Sequence, residues 1–193
     1  MCVESRGCVL PTSSTFVTVA LLLSSSKVAA NPIWLDGWRI ALRRVGRLPG
    51  TTQAFRRAFL HAWITSGDHI RQEAGADFIL AEALRILLPV YRGRRAVTLY
   101  RGEGARNWRY RCPSLSWTAS RAVADAHARG MHSYSKGGSV VLKASVPPGA
   151  IIAKVPANED RYGETEYLVD RRMLDLKTVT VVRRHAARVA GQG

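Results

Sequence analysis

The 193-residue chain is 47% hydrophobic and 22% charged, a balance that supports one folded domain with a sizeable core and excludes a disordered or low-complexity protein. Its formal net charge of +15 comes from 24 Arg and 5 Lys against 14 Asp and Glu. Such a surface suits an acidic partner, a nucleic acid or an anionic membrane, but it specifies no chemistry. The arginines are scattered, with no recognised nucleic-acid motif around them. Cys2, Cys8 and Cys112 form neither an even disulfide framework nor a zinc-ligand spacing. His61, His69, His127, His132 and His185 are dispersed, without an HExxH-type pair, so no metal is expected.

Residues 1–30 read as a leader or a disordered segment. The apolar run Phe16–Leu23 followed by Ala29-Ala30 has the look of a secretory core. Glu4 and Arg6 leave the residues before it nearly neutral, and the run is far too short to span a membrane as a helix. From residue 31 onward the pattern is that of one domain, 31–193. Its first part, 31–92, reads as a helical lobe. Ile33, Trp34, Trp38, Ala41, Leu42 and Val45 recur at helical spacing until "GRLPG" stops them. Thr52 is the expected cap of a second helix that carries Phe55, Phe59 and Trp63 and ends before Gly67. A short turn, "DHIRQEAG", leads to a third helix, "ADFILAEALRILL", stopped at Pro89.

The pattern changes at residue 96. "AVTLYRG" alternates as a strand ending at Gly102, "SLSWT" is a short strand, and Ser120 caps a helix to about Ala128. A Gly- and Ser-rich loop follows. "SVVLKASV" and "IIAKV" make two strands joined by a tight Pro-Pro-Gly turn, "ETEYLV" a further strand and "LKTVTVV" the last. Helices first and strands after give an α+β protein.

The stretch "RYGETEYLVD" places Glu164 and Glu166 one residue apart. On a strand both carboxylates project to one side, with Cα atoms roughly 6.5–7 Å apart. Taken alone, this fits a solvated strand face as well as a site. Three separated motifs change that balance: Tyr100-Arg101-Gly102 at a strand end, Ser116-Trp117-Thr118 before a helix, and Glu164-x-Glu166 late in the chain. Their order and spacing over residues 96–183 resemble the Arg–Ser–Glu class of mono-ADP-ribosyltransferases, the cholera-toxin-like group. The middle motif of that group is commonly Ser-Thr-Ser. Here Trp117 replaces the central residue, and should point to the opposite face, into the core.

The resemblance implies a mainly antiparallel, two-sheet, NAD-binding β core behind the helical lobe. It implies NAD as the substrate that donates ADP-ribose and a macromolecular acceptor, with an arginine side chain favoured by glutamate at position 164. Glu166 would stabilise the oxocarbenium-like ribose, Glu164 would orient the acceptor guanidinium, and Ser116 would hold Glu166 by a hydrogen bond. Arg101 and Gly102 would contact NAD, Thr118 would support the ribose pocket, and Arg129 and Tyr134 would lie by the phosphate and nicotinamide. Tyr162 would present an aromatic ring to the acceptor. Water in place of the acceptor would make the same scaffold an NAD glycohydrolase, and a non-catalytic basic module binding nucleic acid is the reading from another class. Both a cytoplasmic enzyme and a secreted effector are compatible with the resemblance.

Overall fold

The computed structural model of the protein describes residues 40–156 and 164–188. The proposed leader and Tyr162 lie outside them. Helix α1 (40–45) buries Ala41, Leu42 and Val45. Helix α2 (Gln53–Ala74) starts at Thr52, whose side chain accepts a hydrogen bond from the Phe55 amide at 3.2 Å. It does not end at Gly67. The helix kinks at Ser66 (φ −139°) and runs on to Gly75, which closes it in the left-handed conformation (φ 61°). Glycine at 67 serves packing instead: a Cβ there would meet the Trp63 indole at 3.1 Å. Helix α3 (Asp77–Leu87) buries Ile79, Leu80, Ala83, Leu84 and Leu87 and stops two residues before Pro89.

Six strands follow: β1 (Val97–Gly104), β2 (Ser116–Thr118), β3 (Ser139–Val146), β4 (Ile151–Val155), β5 (Glu166–Val169) and β6 (Thr180–His185). A short helix α4 (Ala105–Arg109) directly follows β1, and helix α5 (Arg121–Arg129) follows β2. Strand β1 continues two residues beyond Gly102, and β6 lies later than the "LKTVTVV" pattern because residues 176–178 form a turn at Asp175. The protein is thus α+β, with a helical lobe ahead of an antiparallel sheet.

The described strands hydrogen-bond into one sheet of order β4-β5-β2-β1-β3-β6, where two sheets were expected. The physical reason is one register pair. Tyr100 opposite Thr118 is the sole β1–β2 pairing, and it joins the half β4-β5-β2 to the half β1-β3-β6. Cross-strand partners share a face, so Tyr100, Thr118 and Glu166 form a row across this seam. On that face the lobe covers the first half, packing Phe59, Trp63, Leu80 and Leu84 with Leu115, Ile152 and Leu168. Helix α5 covers the second half through Ala124, Ala128 and Val141, with Tyr100 against them. The opposite face is a second core of Leu99, Trp108, Trp117, Leu142, Tyr167 and Val169. Trp117 is buried there, as its alternation required, and its indole N–H donates to the Ser114 carbonyl at 3.1 Å.

Candidate functional site

Where β1 and β2 part beyond Tyr100–Thr118, side chains take over from ladder hydrogen bonds. The Arg101 guanidinium donates from Nη1 to the Ser116 carbonyl and from Nε to Glu103 Oε2 at 2.8 Å. Glu103 is fully buried and accepts three further hydrogen bonds. These come from the Ser114 amide at 2.8 Å, the Gly104 amide at 3.0 Å and Asn107 Nδ2 at 3.0 Å. Burial alone would push this carboxyl up. The Arg101 charge and the hydrogen bonds from Arg101, Ser114 and Asn107 outweigh it and hold the group at about 2. An ionised, well-satisfied pair therefore pins β2 to β1 at Ser116.

Ser116 itself points to the helical face. Its hydroxyl donates to Glu166 Oε1, the contact expected between these two residues. Thr118 stands beside Glu166 in register, but its Oγ1 accepts the Ser120 amide at 3.1 Å and so shapes the entry into α5. Ser120 in turn caps α5 by accepting from the Val123 amide at 3.3 Å. Two residues before Glu166, Glu164 Oε2 lies 3.3 Å from His127 Nε2 of α5. The carboxylate only accepts, so the ring nitrogen carries the proton in this pair. The two glutamates therefore face the same side of the sheet, one held by β2 and the other met by α5.

The position of α5 is fixed in three ways. A Cβ at Gly102 would come within 2.4 Å of the Ala124 carbonyl and 2.5 Å of the Ala128 amide, so glycine there lets the helix lie directly on β1. The Ser139 hydroxyl donates to the Ala128 carbonyl at 2.7 Å. On the β6 flank, buried Asp125 accepts from His185 Nε2 at 2.9 Å and pairs with Arg129 at 3.0 Å and Arg183 at 3.4 Å. Burial pushes the Asp125 carboxyl up. The His185 hydrogen bond and the charges of Arg183, Arg129 and His185 bring it below its usual range.

The expected residues thus separate. Ser116, Thr118, Glu164 and Glu166 are brought together, with Arg101 behind them. Gly102 has a packing role against α5. Arg129 belongs to the Asp125 clamp on the other flank of α5, away from the glutamates. Tyr134 is exposed in the loop before β3. Glu103, Asp125 and His127 were not singled out from sequence. The alternation Arg101-x-Glu103 places both on one strand face, and it was the available signal for Glu103. No local pattern joins His127 to Glu164, since they meet only through the fold.

A cavity of about 610 Å³ lies elsewhere, lined by Arg71, Gln72, Asp77, Phe78 and Arg171. Arg171 follows the far end of β5 from Glu166, and both arginines already pair with Asp77. Among the described residues no group of three or more His, Cys, Asp and Glu is arranged to hold a metal ion. No described helix is long and apolar enough to cross a membrane. The chain matches no family model, no curated protein and no solved structure.

Proposed function

We propose that this protein is an NAD-dependent mono-ADP-ribosyltransferase that moves ADP-ribose to a macromolecular acceptor, an arginine side chain, with release of nicotinamide. The observation that carries the reading is the Ser116–Glu166 hydrogen bond, set two residues from Glu164 at the seam of the sheet. The two sheet halves meeting at one register pair are the counterpart, in this reading, of the family's two-sheet core.

Cleavage of the nicotinamide–ribose bond develops positive charge on the ribose, as glycoside cleavage does. A carboxylate fixed beforehand stabilises that charge more than it stabilises the bound ground state. Glu166 is such a group, because Ser116 holds one of its oxygens. The bond's electron pair leaves with neutral nicotinamide. A guanidinium nitrogen then bonds to the ribose carbon and loses one proton, which Glu164 accepts. Arg101 contributes by holding the Ser116 strand. Any contact it makes with an NAD phosphate would use Nη2, since Nη1 and Nε serve Ser116 and Glu103.

The test is transfer of adenine-labelled ADP-ribose from NAD to an arginine analogue. The wild type is expected to label the analogue, and Glu166→Ala to lose that label by about a hundredfold or more. Nicotinamide release without label on any acceptor would assign the scaffold to NAD hydrolysis instead. No consumption of NAD would end the proposal.

A further inference from the structure

We propose that His127 sets the choice between an arginine acceptor and water by orienting Glu164; this rests on the transferase reading above. His127 is a positioning residue, acting through the carboxylate and not on NAD. Its Nε2–H approaches Glu164 Oε2 at 3.3 Å, with both side chains only partly exposed. Glu164 precedes β5, so the strand ladder, which begins at Glu166, does not fix it. Helix α5 supplies an external reference. It is seated on Gly102, tied to Ser139 and clamped to β6 through Asp125. A hydrogen bond from so constrained a helix sets the carboxylate from one side.

The consequence differs for the two glutamates. Glu166 is held by its place on strand β5 and by the Ser116 hydroxyl. An acceptor guanidinium is planar and binds carboxylates through directed hydrogen bonds, so it is sensitive to how Glu164 is turned. Water demands no such orientation. The histidine should therefore affect transfer and leave nicotinamide release alone. Among the described residues, the titratable groups near it include Glu164 from the segment before β5 and His132 from the turn after α5. Glu103, Arg101 and Arg71 act on His132 in turn. Asp125 of the same helix is directed to β6.

The experiment uses the full chain with NAD and agmatine as the arginine analogue. In His127→Ala the KM for agmatine should rise about three- to tenfold, the loss expected for one hydrogen bond, and the ratio of transfer to hydrolysis should fall in step. Nicotinamide release without agmatine should stay within about twofold of wild type, since Glu166 keeps its hydrogen bond. His127→Gln retains an N–H donor at the same place and should recover most of the lost transfer. Independently of activity, the His127 ring signals in NMR spectra should shift in Glu164→Gln.

An unchanged agmatine KM and ratio in His127→Ala would overturn the proposal. So would a parallel fall of release and transfer, or a failure of His127→Gln to recover. Unshifted ring signals beside intact nicotinamide release would remove the His127–Glu164 contact while sparing the transferase reading. A wild type that releases no nicotinamide would remove that reading and this inference together.

Discussion

Glu103 shows how one buried acid can shape a site without touching a reactant. It sits two residues from Arg101 on the same face of β1, and its carboxylate collects four hydrogen bonds. Its folded pKa of about 2 lies below the ordinary 4.5, so it contributes stability above pH 4.5 that is lost as pH falls towards 2. Acid unfolding of the wild type should therefore begin in that window, and Glu103→Gln should flatten the dependence there, as followed by circular dichroism. Glu103→Ala is the harsher change, because it leaves the Arg101 guanidinium buried without its partner. A loss of about 3–5 kcal/mol is expected by denaturant unfolding. A loss below about 1 kcal/mol would mean that Arg101 finds water or another acceptor.

At the scale of elements, local rules place what local chemistry determines. Thr52 and Ser120 are legible as caps because a short hydroxyl side chain can satisfy an amide three residues on, and both do so. Strands β1, β3 and β4 are legible from alternation, but the Pro-Pro-Gly turn does not make β3 and β4 the hairpin that their sequence suggests: β3 pairs with β1 and β6, and β4 with β5 on the other side of the sheet. The end of α2 was not legible. Glycine at 67 reads as a stop, but it makes room for Trp63, and the helix resumes after Ser66. Strand β6 starts later than its sequence pattern suggests, because Leu176, Lys177 and Thr178 are taken up by the turn at Asp175. The Ser116–Glu166 pair could be expected from the motifs, whereas the His127–Glu164 pair needs the packing of α5 to be known.

That packing is also testable. The Ala124 carbonyl and the Ala128 amide at Gly102 are backbone atoms and cannot swing aside. Gly102→Ala should therefore displace α5 and destabilise the protein by about 1–3 kcal/mol, read as a lower melting temperature. An unchanged melting temperature would show that α5 does not rest on β1 as described.

Over the whole molecule the charge is unevenly shared. Many carboxylates of the lobe and of the turn after β5 are tied to arginines: Asp77 to Arg71 and Arg171, Asp170 to Arg85 and Arg172, and Glu82 to Arg172. These pairs join α3 to the end of β5. Burial would push the Asp170 carboxyl up, but the hydrogen bonds and charge of Arg172, with Arg85, keep it lowered. From Ala105 to Pro156, by contrast, the single acid is Asp125, already paired, against Arg106, Arg109, Arg111, Arg121, Arg129, Lys136, Lys143 and Lys154. Past Asp175 there is no acid, and Arg183, Arg184 and Arg188 are exposed. The β1-β3-β6 half should attract polyanions through counterion release. Fluorescence anisotropy with a labelled single-stranded oligonucleotide should show binding at about 50 mM salt that weakens steeply towards about 200 mM. Binding indifferent to salt, or absent at the lower concentration, would contradict this.

The most direct measurement of the central claim is the rate of nicotinamide release from NAD by the wild type, Ser116→Ala and Glu166→Gln, with folding checked by circular dichroism. A carboxylate held ready for the ribose predicts release by the wild type and a fall of about a hundredfold or more in Glu166→Gln. Ser116→Ala should fall by about tenfold, the equivalent of one hydrogen bond to a charged acceptor. Equal rates in the three folded proteins, or no release by the wild type, would contradict the account.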